Sequence, residues 1–64
     1  MKNLRIMIRR MRITVTQFAG EIGVTPVAVF YWISGKTRPT KAHLESVKKY
    51  AYENGFREDW VLKD

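Results

Sequence analysis

The sequence predicts an all-α fold of five short helices. Three observations predict it. Apolar residues recur at helical spacing, threonines and glycines mark helix starts and stops, and no stretch alternates as a strand would. With 64 residues the chain has room for one domain and one core, so residues 1–64 are read as a single compact unit. A chain this short buries only about 60% of its unfolded surface, so modest stability is expected.

The first helix is expected over Lys2–Arg12. Leu4, Met7, Ile8 and Met11 share one face, and Arg5, Arg9 and Arg12 take the other, with Arg10 at its edge. Ile6 lies off the apolar stripe and should be partly exposed. Thr14-Val15-Thr16-Gln17 reads as a capping box, flanked by Ile13 and Phe18 as a hydrophobic staple. A second helix therefore starts at Val15 and stops at Gly23. Thr25-Pro26 then caps and opens a third, with Val24 and Val29 as its staple. This helix runs through Ile33 to a stop at Ser34-Gly35. Ala28, Val29, Trp32 and Ile33 make its inner face; Val27, Phe30, Tyr31 and Ser34 make the outer one. After the basic connection Lys36-Thr37-Arg38-Pro39, Thr40 caps a fourth helix reaching about Asn54, with Leu44, Val47 and Ala51 turned inward and Tyr50 nearby. The tail, Phe56–Leu62, is expected to form one or two turns anchored by Phe56, Trp60 and Val61.

Several function classes are excluded by what the chain lacks. It has no cysteine, so no disulfide or Cys-based zinc site is available, a composition that suits the cytoplasm. Arginines interrupt the basic amino-terminal segment, and the longest apolar run, Val27–Ile33, is too short for a membrane span. His43 is the only histidine and is read as a solvated residue of the fourth helix. Ser34, Ser46 and His43 do not compose a catalytic triad, and so small a domain offers no water-excluding pocket, so no enzyme activity, cofactor, metal or small-molecule ligand is expected. The net charge is +6, unevenly placed. Through Lys41 there are eight Lys and Arg against the single acid Glu21; after it, four bases face five acids. That asymmetry favours a polyanionic partner on one side.

A helix, a tight turn at Gly23 and a Thr-Pro-started helix form the arrangement of a helix-turn-helix over about residues 14–34. From Thr14 to Gly35, and on into Lys36-Thr37-Arg38-Pro39, the chain resembles the Cro/cI-like (lambda-repressor-like) phage repressor family. That family shows a Leu-Thr-Gln-x-x-Leu-Ala-x-x-x-Gly-Val-Ser pattern, a recognition helix, a Trp-Glu-x-Gly-Lys stretch and a downstream proline. The matching residues are Ile13, Thr14, Phe18, Ala19, Gly23, Val24, Thr25, Trp32, Gly35, Lys36 and Pro39. The ending from Gly55 to Leu62 is similar to the family's Gly-Val-x-x-Asp-Trp-Leu-Leu. Two positions depart from the pattern. Ile8 and Ile33 stand where the family often pairs Arg with Glu, and they are expected to pack together instead, an exchange that is often neutral or stabilising. Val15 replaces the glutamine that commonly holds a phosphate.

The resemblance implies a sequence-specific transcriptional regulator of double-stranded DNA, a Cro-like repressor located at the nucleoid. Its base-reading residues would be Thr25, Pro26, Val27, Phe30 and Tyr31, and its phosphate contacts Thr14, Thr16, Gln17, Lys36, Thr37, Arg38 and Lys41. No Arg, Asn or Gln stands among the base readers, so apolar contact with thymine methyl groups, and hence a T-containing half-site, is expected. The resemblance also implies a homodimer on a two-fold operator, formed through the last two helices or only on DNA, with Ile6 and Tyr52 as candidate contacts. The alternative is a protein-interaction module, such as an antirepressor, an antitoxin or an excision-type factor, using the same apolar helix face.

Overall fold

The computed structural model describes residues 1–63 and contains five helices: α1 (Lys2–Arg10), α2 (Val15–Ile22), α3 (Pro26–Ser34), α4 (Lys41–Glu53) and α5 (Glu58–Val61). Among the described residues there is no strand.

Three threonines open three helices. Thr14 Oγ1 accepts from the Gln17 amide at 3.0 Å while the Thr14 amide donates to Gln17 Oε1 at 2.8 Å, a reciprocal capping box. Thr25 Oγ1 accepts from the Ala28 amide at 3.2 Å, with Pro26 in the first turn, where its missing N–H costs nothing. Thr40 Oγ1 accepts from the His43 amide at 3.4 Å.

The ends of α2 and α3 share one geometry. Gly23 and Gly35 take left-handed conformations with φ of 80° and 82°. The next amide in each case folds back across the turn, Val24 to Ala19 O and Lys36 to Tyr31 O, both at 2.9 Å. The end of α4 repeats the pattern at Gly55. The end of α1 does not follow expectation. It stops at Arg10, two residues early, and Arg12 adopts φ of 57°. The Arg12 amide donates to Arg9 O at 3.0 Å and the Ile13 amide to Ile8 O at 3.4 Å. This is the same closure with arginine in the glycine position, where a side chain costs roughly 1–2 kcal/mol.

One core draws on all five helices: Leu4, Met7 and Ile8; Phe18 and Ala19; Val29 and Trp32; Val47 and Ala51; and Val61. No polar or charged side chain is buried among the described residues. Ile8 is buried and Ile33 half-buried against this cluster, so neither lies in solvent. Phe18 meets Tyr50 edge to face, with centroids 5.1 Å apart. Burial, and secondarily the charge of Glu21, raise the Tyr50 hydroxyl above its ordinary pKa.

The carboxyl-terminal turn is tied to α1. Asn3 Nδ2 donates to Trp60 O at 2.8 Å, and the Arg10 guanidinium sits 5.6 Å from the Trp60 ring centroid. Phe56 stacks on Trp60, but both remain half-buried; Val61 is the fully buried anchor. Two side chains of α4 also depart from expectation. His43 is half-buried, with its ring 6.0 Å from that of Trp32, because the large indole extends to the imidazole across the helix pair. Leu44 is half-buried and lines a groove with Trp32 and Leu62.

Candidate nucleic-acid interface

Residues 23–25 form a short turn between α2 and α3, and α3 packs against both α2 and α1. That packing uses up one side of α3. Val29 and Trp32 are buried, and Ala28 and Ile33 are half-buried against the core. The opposite side carries Val27, Phe30 and Tyr31, which remain 56%, 54% and 38% exposed. A helix apolar on nearly every side is ordinarily buried all round. Here the fold covers only half of it.

Of the other two expected base readers, Thr25 is exposed and Pro26 half-buried. The Thr25 oxygen is engaged by the Ala28 amide, which leaves its hydroxyl hydrogen to donate. Hydrogen bonding from this face is therefore confined to the hydroxyls of Thr25, Tyr31 and Ser34, the last of which already donates to Tyr31 O, and the rest of its contact must be apolar.

The expected phosphate residues form two exposed groups. At the start of α2 stand Thr14, Thr16 and Gln17. The capping box occupies the oxygens of Thr14 and Gln17, so what they still offer is donors: a hydroxyl hydrogen and a side-chain amide. The Val15 and Thr16 amides have no acceptor among the described residues. Donors without acceptors suit a phosphate oxygen. Gln17 also occupies a position where a capping-box glutamate would repel that phosphate.

The second group is Lys36, Thr37, Arg38 and Lys41, all exposed. None of the three cations has a carboxylate partner among the described residues. The Lys36 and Thr37 amides both donate to Tyr31 O, at 2.9 and 3.3 Å, which draws this segment back over the end of α3. The Lys36 ammonium thereby comes to rest 4.6 Å from the centroid of the Tyr31 ring, within cation–π range. Sequence reasoning assigned Tyr31 to bases and Lys36 to phosphates; the structure couples them. The signal was present in Gly35, whose turn brings its successor back over the preceding helical turn.

The helix termini add to the positive field. No acid occupies the first turn of α1, α2, α3 or α4, and Lys41 stands in the first turn of α4. Acids there ordinarily offset the positive end of the helix dipole, each contributing about 0.3–1 kcal/mol. Their omission leaves that charge for an anion to satisfy.

Sequence reasoning also missed a neighbour of the exposed face. Lys2, Arg5 and Ile6 of α1 line an open groove together with Phe30, Tyr31 and Ser34 of α3. A more enclosed cavity of about 220 Å³ lies elsewhere, lined by Met1, Trp32, Arg38, Pro39, Leu44 and Leu62 among others. No group of three His, Cys, Asp or Glu placed to hold a metal occurs among the described residues. No helix among them is long and apolar enough to cross a membrane. Comparison with protein-family models, with curated proteins and with solved structures finds no match.

Proposed function

We propose that the chain is a sequence-specific regulator that binds double-stranded DNA, with α2 and α3 forming a helix-turn-helix of the lambda-repressor-like kind. The observation that carries this reading is the outer side of α3: Val27, Phe30 and Tyr31 exposed beside Lys36, Thr37, Arg38 and Lys41. A major groove about 12 Å wide admits such a helix. Val27 and Phe30 then meet thymine methyl groups, while the Tyr31 hydroxyl donates to a base edge or a phosphate. The donors at the start of α2 and the cations after α3 hold the backbone and set the register, without reading sequence. Occupying a promoter in this way represses it by occlusion, and the site of action is the nucleoid.

The test is selection of bound duplexes from a random pool, followed by single thymine-to-uracil replacement in the selected site. Methyl readout requires at least one replacement to weaken binding. A site in which every replacement is silent removes it, and a chain that enriches no duplex removes the DNA reading altogether. Ile6, which extends the apolar face beyond α3, favours an additional protein contact.

A further inference from the structure

Two exposed apolar features have no role in the core. The first is the groove between α1 and α3, where Ile6 (41% exposed) lies with Phe30 and Tyr31. Its charged members are Lys2 and Arg5, and no carboxylate lines it. The second lies where α4 gives way to α5. Tyr52, 72% exposed, lines a shallow groove there with Phe56, Arg57, Glu58 and Asp59. Arg57 is held by Asp59 at 3.2 Å, and Glu58 has no partner among the described residues. This second groove is therefore net negative.

We propose that the first groove receives the second from another copy of the same chain, head to tail. The argument is charge complementarity. A two-fold contact through either groove sets a patch against its own image, bringing Lys2 and Arg5 against lysine and arginine, or Glu58 against glutamate. Like charges brought together across an interface are costly. Joining the two different grooves instead pairs cations with acids and covers Ile6 and Tyr52 together. The arrangement differs from the two-fold dimer that the family resemblance implies and does not require DNA; because its groove includes Phe30 and Tyr31, it competes with DNA for them. Each joined pair keeps one free groove of each kind, so growth continues past two copies, into an open chain or a ring of three or more. Both patches are small, which places the contact in the weak class burying less than about 1,200 Å².

Sedimentation equilibrium of the full chain without DNA, over a concentration series at low salt, tests this. The mass average should rise past that of a dimer, and high salt should weaken the association. Ile6→Glu and Tyr52→Lys, both at exposed positions, should each weaken it by about tenfold or more. A one-to-one mixture of the two variants should then form a dimer and nothing larger, because only one compatible pair of grooves remains. A wild-type chain that stays monomeric overturns the proposal, as does a mass that stops at two or association that survives either substitution. A mixture that forms no complex while both variants are folded overturns it too. If either variant fails to fold, concentration-dependent amide shifts of the wild-type chain decide: changes at Ile6 and Tyr52 together support the contact, and changes elsewhere overturn it.

Discussion

Helices α1 and α3 are both nine residues long and do the same work on their inner sides. α1 buries Leu4, Met7 and Ile8; α3 buries Val29 and Trp32. Their outer sides have nothing in common. α1 presents mainly arginines to water, with Ile6 its one large exposed apolar residue, whereas α3 presents Val27, Phe30 and Tyr31. Water satisfies the guanidinium groups of α1 and leaves nothing to explain. It gains nothing from the valine and phenylalanine of α3, which contribute little to the core and shed no apolar surface. The inner sides of both helices and, Ile6 apart, the outer side of α1 follow from folding. The outer side of α3 does not, and that residue of unexplained chemistry is the argument for a partner.

Substitutions on the two sides of α3 should separate these roles. Trp32→Ala, on the inner side, should cost about 3–5 kcal/mol, much of the roughly 3–10 kcal/mol that a chain of this length commands. Phe30→Ala, two positions earlier and outward, should leave stability within about 0.5 kcal/mol. Urea titration compares the two directly; equal losses would mean that the outer side belongs to the fold. Val27→Ala should likewise spare stability but reduce discrimination between selected and scrambled duplexes by about tenfold. Arg38→Ala sharpens the contrast from the backbone side. It should weaken every duplex alike and reduce the log–log salt slope by about 0.9; a change of preferred sequence instead would make Arg38 a base reader. The smallest effect concerns the end of α1. Arg12→Gly should stabilise the chain by up to about 1 kcal/mol, since glycine relieves the left-handed strain but raises the entropy of the unfolded chain. A lower denaturation midpoint at unchanged slope would show that the arginine side chain is holding something in the fold.

Most of the helix boundaries could be read from the residues because each signal is local. Thr14, Thr25 and Thr40 cap as expected, and Gly23 and Gly35 turn as expected. Arg12 could not be read this way. Its side chain carries no code for a left-handed backbone; the reversal shows only in the turn bonds from the Arg12 amide to Arg9 O and from the Ile13 amide to Ile8 O. His43 was misjudged for a related reason: helical spacing sets it outward on α4, but spacing on one helix says nothing about an indole reaching over from another. The exposed trio on α3 was legible from periodicity alone, since Val29 and Trp32 leave no other side for Val27, Phe30 and Tyr31. Their neighbours Lys2, Arg5 and Ile6 were not, because that meeting depends on how α1 crosses α3.

The all-apolar interior has an evolutionary corollary. With no polar or charged side chain buried among the described residues, the inside constrains volume and shape more than identity, and exchanges such as leucine for methionine cost under about 1.5 kcal/mol. Positions that turn the backbone have no such latitude. Divergent descendants of this chain should keep their corners and rewrite their centres, so kinship would be visible in the spacing of threonines and glycines long after the packed letters had drifted.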